Sequence, residues 1–97
     1  MDWYQDVSAE QVLDQLGLAR ASARQRQDKL ALNYLVAAKR QLRFDILASV
    51  SGQALASAVL ANNRIRHAVR LVKARRHEDA YDVIRDAEHA ILRMMLA

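Results

Sequence analysis

The clearest periodic signal lies towards the C-terminus. Ala80, Ile84, Ala87, Ile91 and Met94 fall three or four residues apart, so they share one face of a helix, with Val83 and Ala90 beside them. Asp82, Arg85, Asp86, His89 and Arg93 form its wet face. Glu78 and Asp79 open this helix, where carboxylates complement the positive end. A second stripe, Ala31, Leu35, Ala38 and Leu42 with Tyr34 beside it, predicts a helix from about residue 21 to about residue 48. Leu32 and Val36 fall on another side of that helix, near Lys39 and Arg43. A second apolar side flanked by positive charge marks either a contact surface or a helix buried on two sides.

Boundary signals divide the rest. Residues 1–7 read as a short lead in which Trp3 and Tyr4 either close one end of the core or anchor a partner. Ser8 and Gln11 match a capping box, and Val7 with Val12 matches a hydrophobic staple, so the first helix is expected to start there. Val12, Leu13 and Leu16 give it a short apolar face, and Gly17 ends or loosens it. Ser49, Ser51 and Gly52 read as a turn with a new N-cap. The Ala-rich run Gln53 to Ala61 suits a closely packed helix. Asn62 and Asn63 either lie inside one helix over 53–75 or break it, with Asn63 capping the basic segment. A turn is expected from Arg75.

Residues 64–77 are the most basic stretch. Arg66, Arg70, Lys73 and His77 are spaced to form one cationic stripe, while Ala61, Ile65, Ala68 and Val72 form an apolar one. With Arg64 and Arg76 they are the candidate residues for an acidic partner or a phosphate backbone; Leu32 and Val36 are the candidate apolar interface. The opposing expectation is that the stripe pairs within the fold, with Asp79, Asp82 and Asp86 or with the acidic first helix. The whole chain carries +4, but in blocks: −4 over residues 1–19, +6 over 20–44, −1 at Asp45, +6 over 64–76 and −3 over 77–97. Blocks of opposite sign can complement each other in one fold, so a basic block alone does not imply nucleic acid.

Composition narrows the class. Ninety-seven residues with 53% hydrophobic content, no proline and two glycines predict a single all-α domain of three to five helices, a four-helix bundle or paired helical hairpins. The absence of cysteine excludes disulfides, thiol chemistry and cysteine metal sites, and fits a cytoplasmic location. No stretch reads as a membrane span or a signal peptide, so no membrane association is expected.

Ala31, Leu35 and Ala38 repeat, 49 positions later, as Ala80, Ile84 and Ala87. This small-large-small pattern resembles the second helix of a tetratricopeptide repeat, although the family's glycine, aromatic positions and closing proline are missing. What it implies is helical-hairpin packing.

Catalytic chemistry finds little support. The three histidines have no nucleophile or apolar carboxylate pair arranged with them, and no glycine-rich phosphate loop occurs. Asp82, Asp86 and His89 have a metal-like spacing, but charge patterning of a wet face accounts for it. The expectation is a protein that is not an enzyme and uses no cofactor, metal or small-molecule substrate. It is an adaptor, chaperone, inhibitor or self-associating subunit that binds an acidic or helical protein partner or a second copy of itself. The alternative is a nucleic-acid-binding protein that uses residues 64–77. There, Asn62 and Asn63 would reach base edges from a helix start.

Overall fold

Arg26 and Arg75 both adopt the left-handed backbone conformation, with φ of 61° and 60°. Around Arg26, the Gln27 amide donates to the Ser22 carbonyl and the Arg26 amide to the Ala23 carbonyl. Around Arg75, the Arg76 amide donates to Leu71 and the Arg75 amide to Val72. These are two Schellman turns of the same design, and each satisfies the last carbonyls of one helix while reversing the chain into the next. Neither turn uses the glycine that this conformation favours.

The computed structural model describes residues 3–97, with side chains from Gln5 onward. The roles expected for the Trp3 and Tyr4 side chains lie outside the described residues. The protein is an all-α bundle of α1 (Trp3–Arg24), α2 (Asp28–Gln41), α3 (Gly52–Lys73) and α4 (His77–Leu96), with α2 continued by a π-helical segment, Leu42–Leu47. A shift of 49 residues carries α1 onto α3, the first turn onto the second, and α2 with its π extension onto α4. The chain is thus two copies of one helical hairpin, and neighbouring helices run antiparallel around a square. The repeat seen in three residues of the sequence extends through the whole structure.

The core repeats with the same period. Ala9, Val12, Leu16 and Ala19 of α1 are fully buried, as are Ala58, Ala61, Ile65 and Ala68 of α3. Ala31, Leu35, Ala38 and Leu42 match Ala80, Ile84, Ala87 and Ile91 in the same way. Alanine at alternate core positions lets helices approach closely, and the larger residues fill the layers between. The symmetry slips at the end of α2. A π turn takes in one extra residue, so Ile46 is buried where strict repetition would bury Asp45, the counterpart of buried Met94.

Several boundaries differ from those expected. Residues 3–7 are already helical, so α1 does not begin at Ser8 as expected. Ser8 is a buried side chain inside α1, and no capping box forms there. Gly17 does not end α1, which continues to Arg24. The helix expected over 21–48 is divided at residues 25–27 by the first Schellman turn. Asn62 and Asn63 lie in the middle of one continuous α3. Among the described residues, no helix is long and apolar enough to cross a membrane.

Candidate functional site

Charge is segregated between opposite sides of the bundle. The helix of residues 28–47 has four cations against two carboxylates, and α3 has four cations and no carboxylate, a net +6 for the pair. The described part of α1 has three carboxylates against two arginines, and α4 has five carboxylates against two, a net −4. Because α2 and α3 are neighbours, several of their cations border one seam.

Helical spacing arranges both walls of that seam. From α3 come Leu55, Val59, Asn62, Arg66, Arg70 and Lys73, successive members of one stripe. From α2 and its π extension come Leu32, Val36, Lys39, Arg43 and Leu47. Lys39, Arg43 and Leu47 face Asn62 and Arg66 across a cleft of about 420 Å³. The apolar pair Leu32 and Val36 and the row Arg66, Arg70 and Lys73, which lie far apart in sequence, therefore border the same seam. Val36 and Val59 are each 43% exposed, and Phe44, in the π segment, is 74% exposed. Leu32 is half-buried and packs on the core.

Arg66, Arg70 and Lys73 are exposed, and among the described residues none has a carboxylate within 4 Å. Arg64 is exposed but off their row, sharing a helix face with His67 and Leu71, which line a shallow cleft with Asp79 and Asp82 of α4. The basic residues beyond α3 are placed differently from the sequence expectation. His77 does not continue the stripe, because the turn at Arg75 separates it from α3. It is the first residue of α4, buried, with Nε2 2.6 Å from Asp28 Oδ1. Arg76 is exposed and paired with Asp79, one helical turn on.

The opposite seam, between α1 and α4, is closed by polar contacts. Arg20 Nε donates to Glu88 Oε1 at 2.7 Å, and its Nη1 donates to the Tyr81 hydroxyl at 3.1 Å. The Arg24 guanidinium lies 4.3 Å from the centre of the Tyr81 ring, a cation–π contact. The hydrogen bonds to Tyr81 and Glu88 raise the affinity of Arg20 for its proton. The hydrogen bond from Arg20, aided by the positive charge of Arg24 and Arg85, holds the Tyr81 hydroxyl below its ordinary range, against a smaller opposing effect of burial.

Sequence reasoning does not foresee this Arg20–Tyr81–Glu88 cluster, in which Arg20 lies more than 60 residues from both partners. It also does not foresee the convergence of Lys39, Arg43 and Asn62 on Arg66. Extending the 49-residue spacing over the whole chain signals two like hairpins, but not which of their faces meet. No family model matches the chain, and neither a curated protein nor a solved structure resembles it significantly.

Proposed function

We propose that the protein is a non-enzymatic interaction module that binds an acidic, amphipathic helix along the α2–α3 seam. The observation that carries this reading is a row of cations without carboxylate partners, set beside exposed apolar residues on the same two helices. Val36, Leu55 and Val59 offer contact for an apolar helix face, and Lys39, Arg43, Arg66, Arg70 and Lys73 offer charge to flanking carboxylates. This is the helix-in-groove mode, with complementary charge fixing register and speeding encounter. The acidic α1–α4 side of a second copy meets the same electrostatic requirement, so self-association belongs to this reading.

The test compares an acidic amphipathic helical peptide, a neutral version of it, and generic duplex and single-stranded nucleic acid. The acidic peptide should bind, more weakly at high salt, and the combined substitution Arg66→Glu, Arg70→Glu and Lys73→Glu should abolish binding. Melting should change little in that variant, since exposed charges of this kind are individually worth about 0–1 kcal/mol. Light scattering at low and high salt reads self-association. Tight, steeply salt-dependent binding of nucleic acid with none of the acidic peptide would overturn the reading in favour of a nucleic-acid-binding protein, for which exposed Phe44 beside Arg43 would supply a stacking surface.

A further inference from the structure

The two hairpins supply an internal control for the α2–α3 seam. Shifting by 49 residues carries the α1–α4 seam onto it, so each position ahead of the extra residue of the π turn has a counterpart in the other seam. Arg20, which closes the first seam, corresponds to Val69, and its acceptors Tyr81 and Glu88 correspond to Leu32 and Lys39. The ion pair of one seam has thus become a lone, half-buried lysine in the other. Leu13, packed on the core, corresponds to Asn62, and Leu92 corresponds to Arg43. The changes at Glu88, Leu13 and Leu92 each make the second seam more positive or more polar.

Asn62 adds an independent observation. Its Oδ1 is buried and has no hydrogen-bond partner among the described residues. Buried polar atoms are normally satisfied, and leaving one unsatisfied is costly. The Gln15 Oε1 is in the same state but does not line this cleft. The third observation is the backbone. Arg43 and Leu47, on the α2 wall, belong to the π-helical segment, whereas the matching turn of α4 is an ordinary α-helix. Isolated π turns occur disproportionately at functional sites, because they re-aim side chains that a regular helix would space evenly.

We propose that the cleft lined by Lys39, Arg43, Asn62 and Arg66 binds a phosphate monoester or free phosphate. Three cations from two helices converge there with no carboxylate of the described residues within 4 Å to offset them. A compact dianion relieves their mutual repulsion and accepts charge-assisted hydrogen bonds from all three. Asn62 lines the same cleft, and its side-chain amide donates to a phosphate oxygen when turned towards it. The phosphate has two possible sources, a free phosphate compound or a phosphorylated side chain on the protein partner. The second form rests on the partner-binding reading given above, while the seat itself does not.

The probe is inorganic phosphate, added to the full chain at constant ionic strength with chloride as the balancing anion. Phosphate should raise the melting temperature where chloride does not, and should shift the Asn62 side-chain amide signals in NMR spectra. Lys39→Glu places a carboxylate where the closed seam has Glu88, so it should abolish both responses and raise the melting temperature without phosphate. Lys39→Met provides the same loss of response should the glutamate variant not fold. Arg93→Glu, an equal change of charge at an exposed site on α4, should keep both responses. In a second arm, a phosphoserine version of the acidic peptide should bind about tenfold more tightly than its serine version. That gain should vanish in Lys39→Glu. Phosphate responses without a phosphoserine gain would assign the seat to a free phosphate compound. A melting temperature that responds to phosphate no more than to chloride, or equally in Lys39→Glu, overturns the site. If the acidic peptide still binds in that case, the partner-binding reading stands and only the cleft is lost. If phosphate is held while the acidic peptide is not, the reverse applies.

Discussion

His77 Nε2 lies 2.6 Å from Asp28 Oδ1, and the two residues are the same position in two copies of one hairpin. Each is the first residue of the second helix of its hairpin, and the two helices are diagonal in the bundle. A residue that touches its own counterpart marks the pseudo-twofold axis between the halves. The symmetry of the backbone is broken there by chemistry, with a carboxylate on one side and an imidazole on the other. Arg75 Nε, 3.7 Å from Asp28 Oδ2, adds a longer contact.

This arrangement predicts that the pair can be exchanged. Asp28→His and His77→Asp should each cost about 1–3 kcal/mol, because each sets like groups against each other at a site where His77 is buried. The double substitution should recover most of that loss. Arg26 would then stand to the carboxylate introduced at position 77 as Arg75 now stands to Asp28. Denaturant unfolding of the four proteins measures the coupling, and additive losses in the double variant would sink the pseudo-twofold account.

The backbone predicts stabilising substitutions of two opposite kinds. Gly17 lies inside α1, and a Cβ built there meets nothing within 4 Å. Gly17→Ala should therefore raise stability by about 0.5–1 kcal/mol. Arg26 carries a Cβ in the left-handed region, so Arg26→Gly should raise stability by about 1 kcal/mol. Arg75→Gly should gain less, since it also loses the contact with Asp28. Thermal melts decide, and a lower melting temperature for Arg26→Gly would contradict the turn geometry.

Leu32 and Val36 have the same apolar character in the sequence but different surroundings in the fold. Val36→Glu should change stability by less than about 0.5 kcal/mol, because the side chain is 43% exposed. Leu32→Glu should cost about 1–3 kcal/mol, because it pushes a carboxylate against the core. Equal losses, followed by circular dichroism in denaturant, would show that the two share one environment.

Tyr81 gives a pH prediction. Its hydroxyl ionises below the ordinary tyrosine value in the folded chain, chiefly through the hydrogen bond from Arg20. A depressed folded pKa contributes stability that is present above the unfolded value and is lost as pH falls through the folded one. Folding should thus gain as pH rises through the alkaline range just below the usual tyrosine midpoint. Ultraviolet titration should show a tyrosine ionising below the ordinary tyrosine range. Arg20→Met should bring it back into line, and superimposable curves for the two proteins would refute the contact.

The most legible parts of the sequence were those where a local period reports burial directly. Ala80, Ile84, Ala87, Ile91 and Met94 share a face by spacing alone, and all five are fully buried. Local signals failed where tertiary contacts outweigh them. Ser8 looks like a helix cap, but it is carried into the interior of α1 because Ala9 and Val12 beside it are needed in the core. The turn after Arg24 has no glycine or proline to announce it, since packing of the two hairpin arms holds an arginine in a strained conformation.

By itself the sequence determined helices, their apolar faces and a basic tract, because the spacing of residues three and four apart needs no knowledge of the rest of the chain. Only the tertiary structure decided which faces became neighbours. It put Asp28 against His77, joined Arg20 to Glu88, and brought Lys39 and Arg43 to Arg66 without a carboxylate between them. Those relationships depend on how the two hairpins dock, and docking is set by the fit of whole surfaces that no local period encodes.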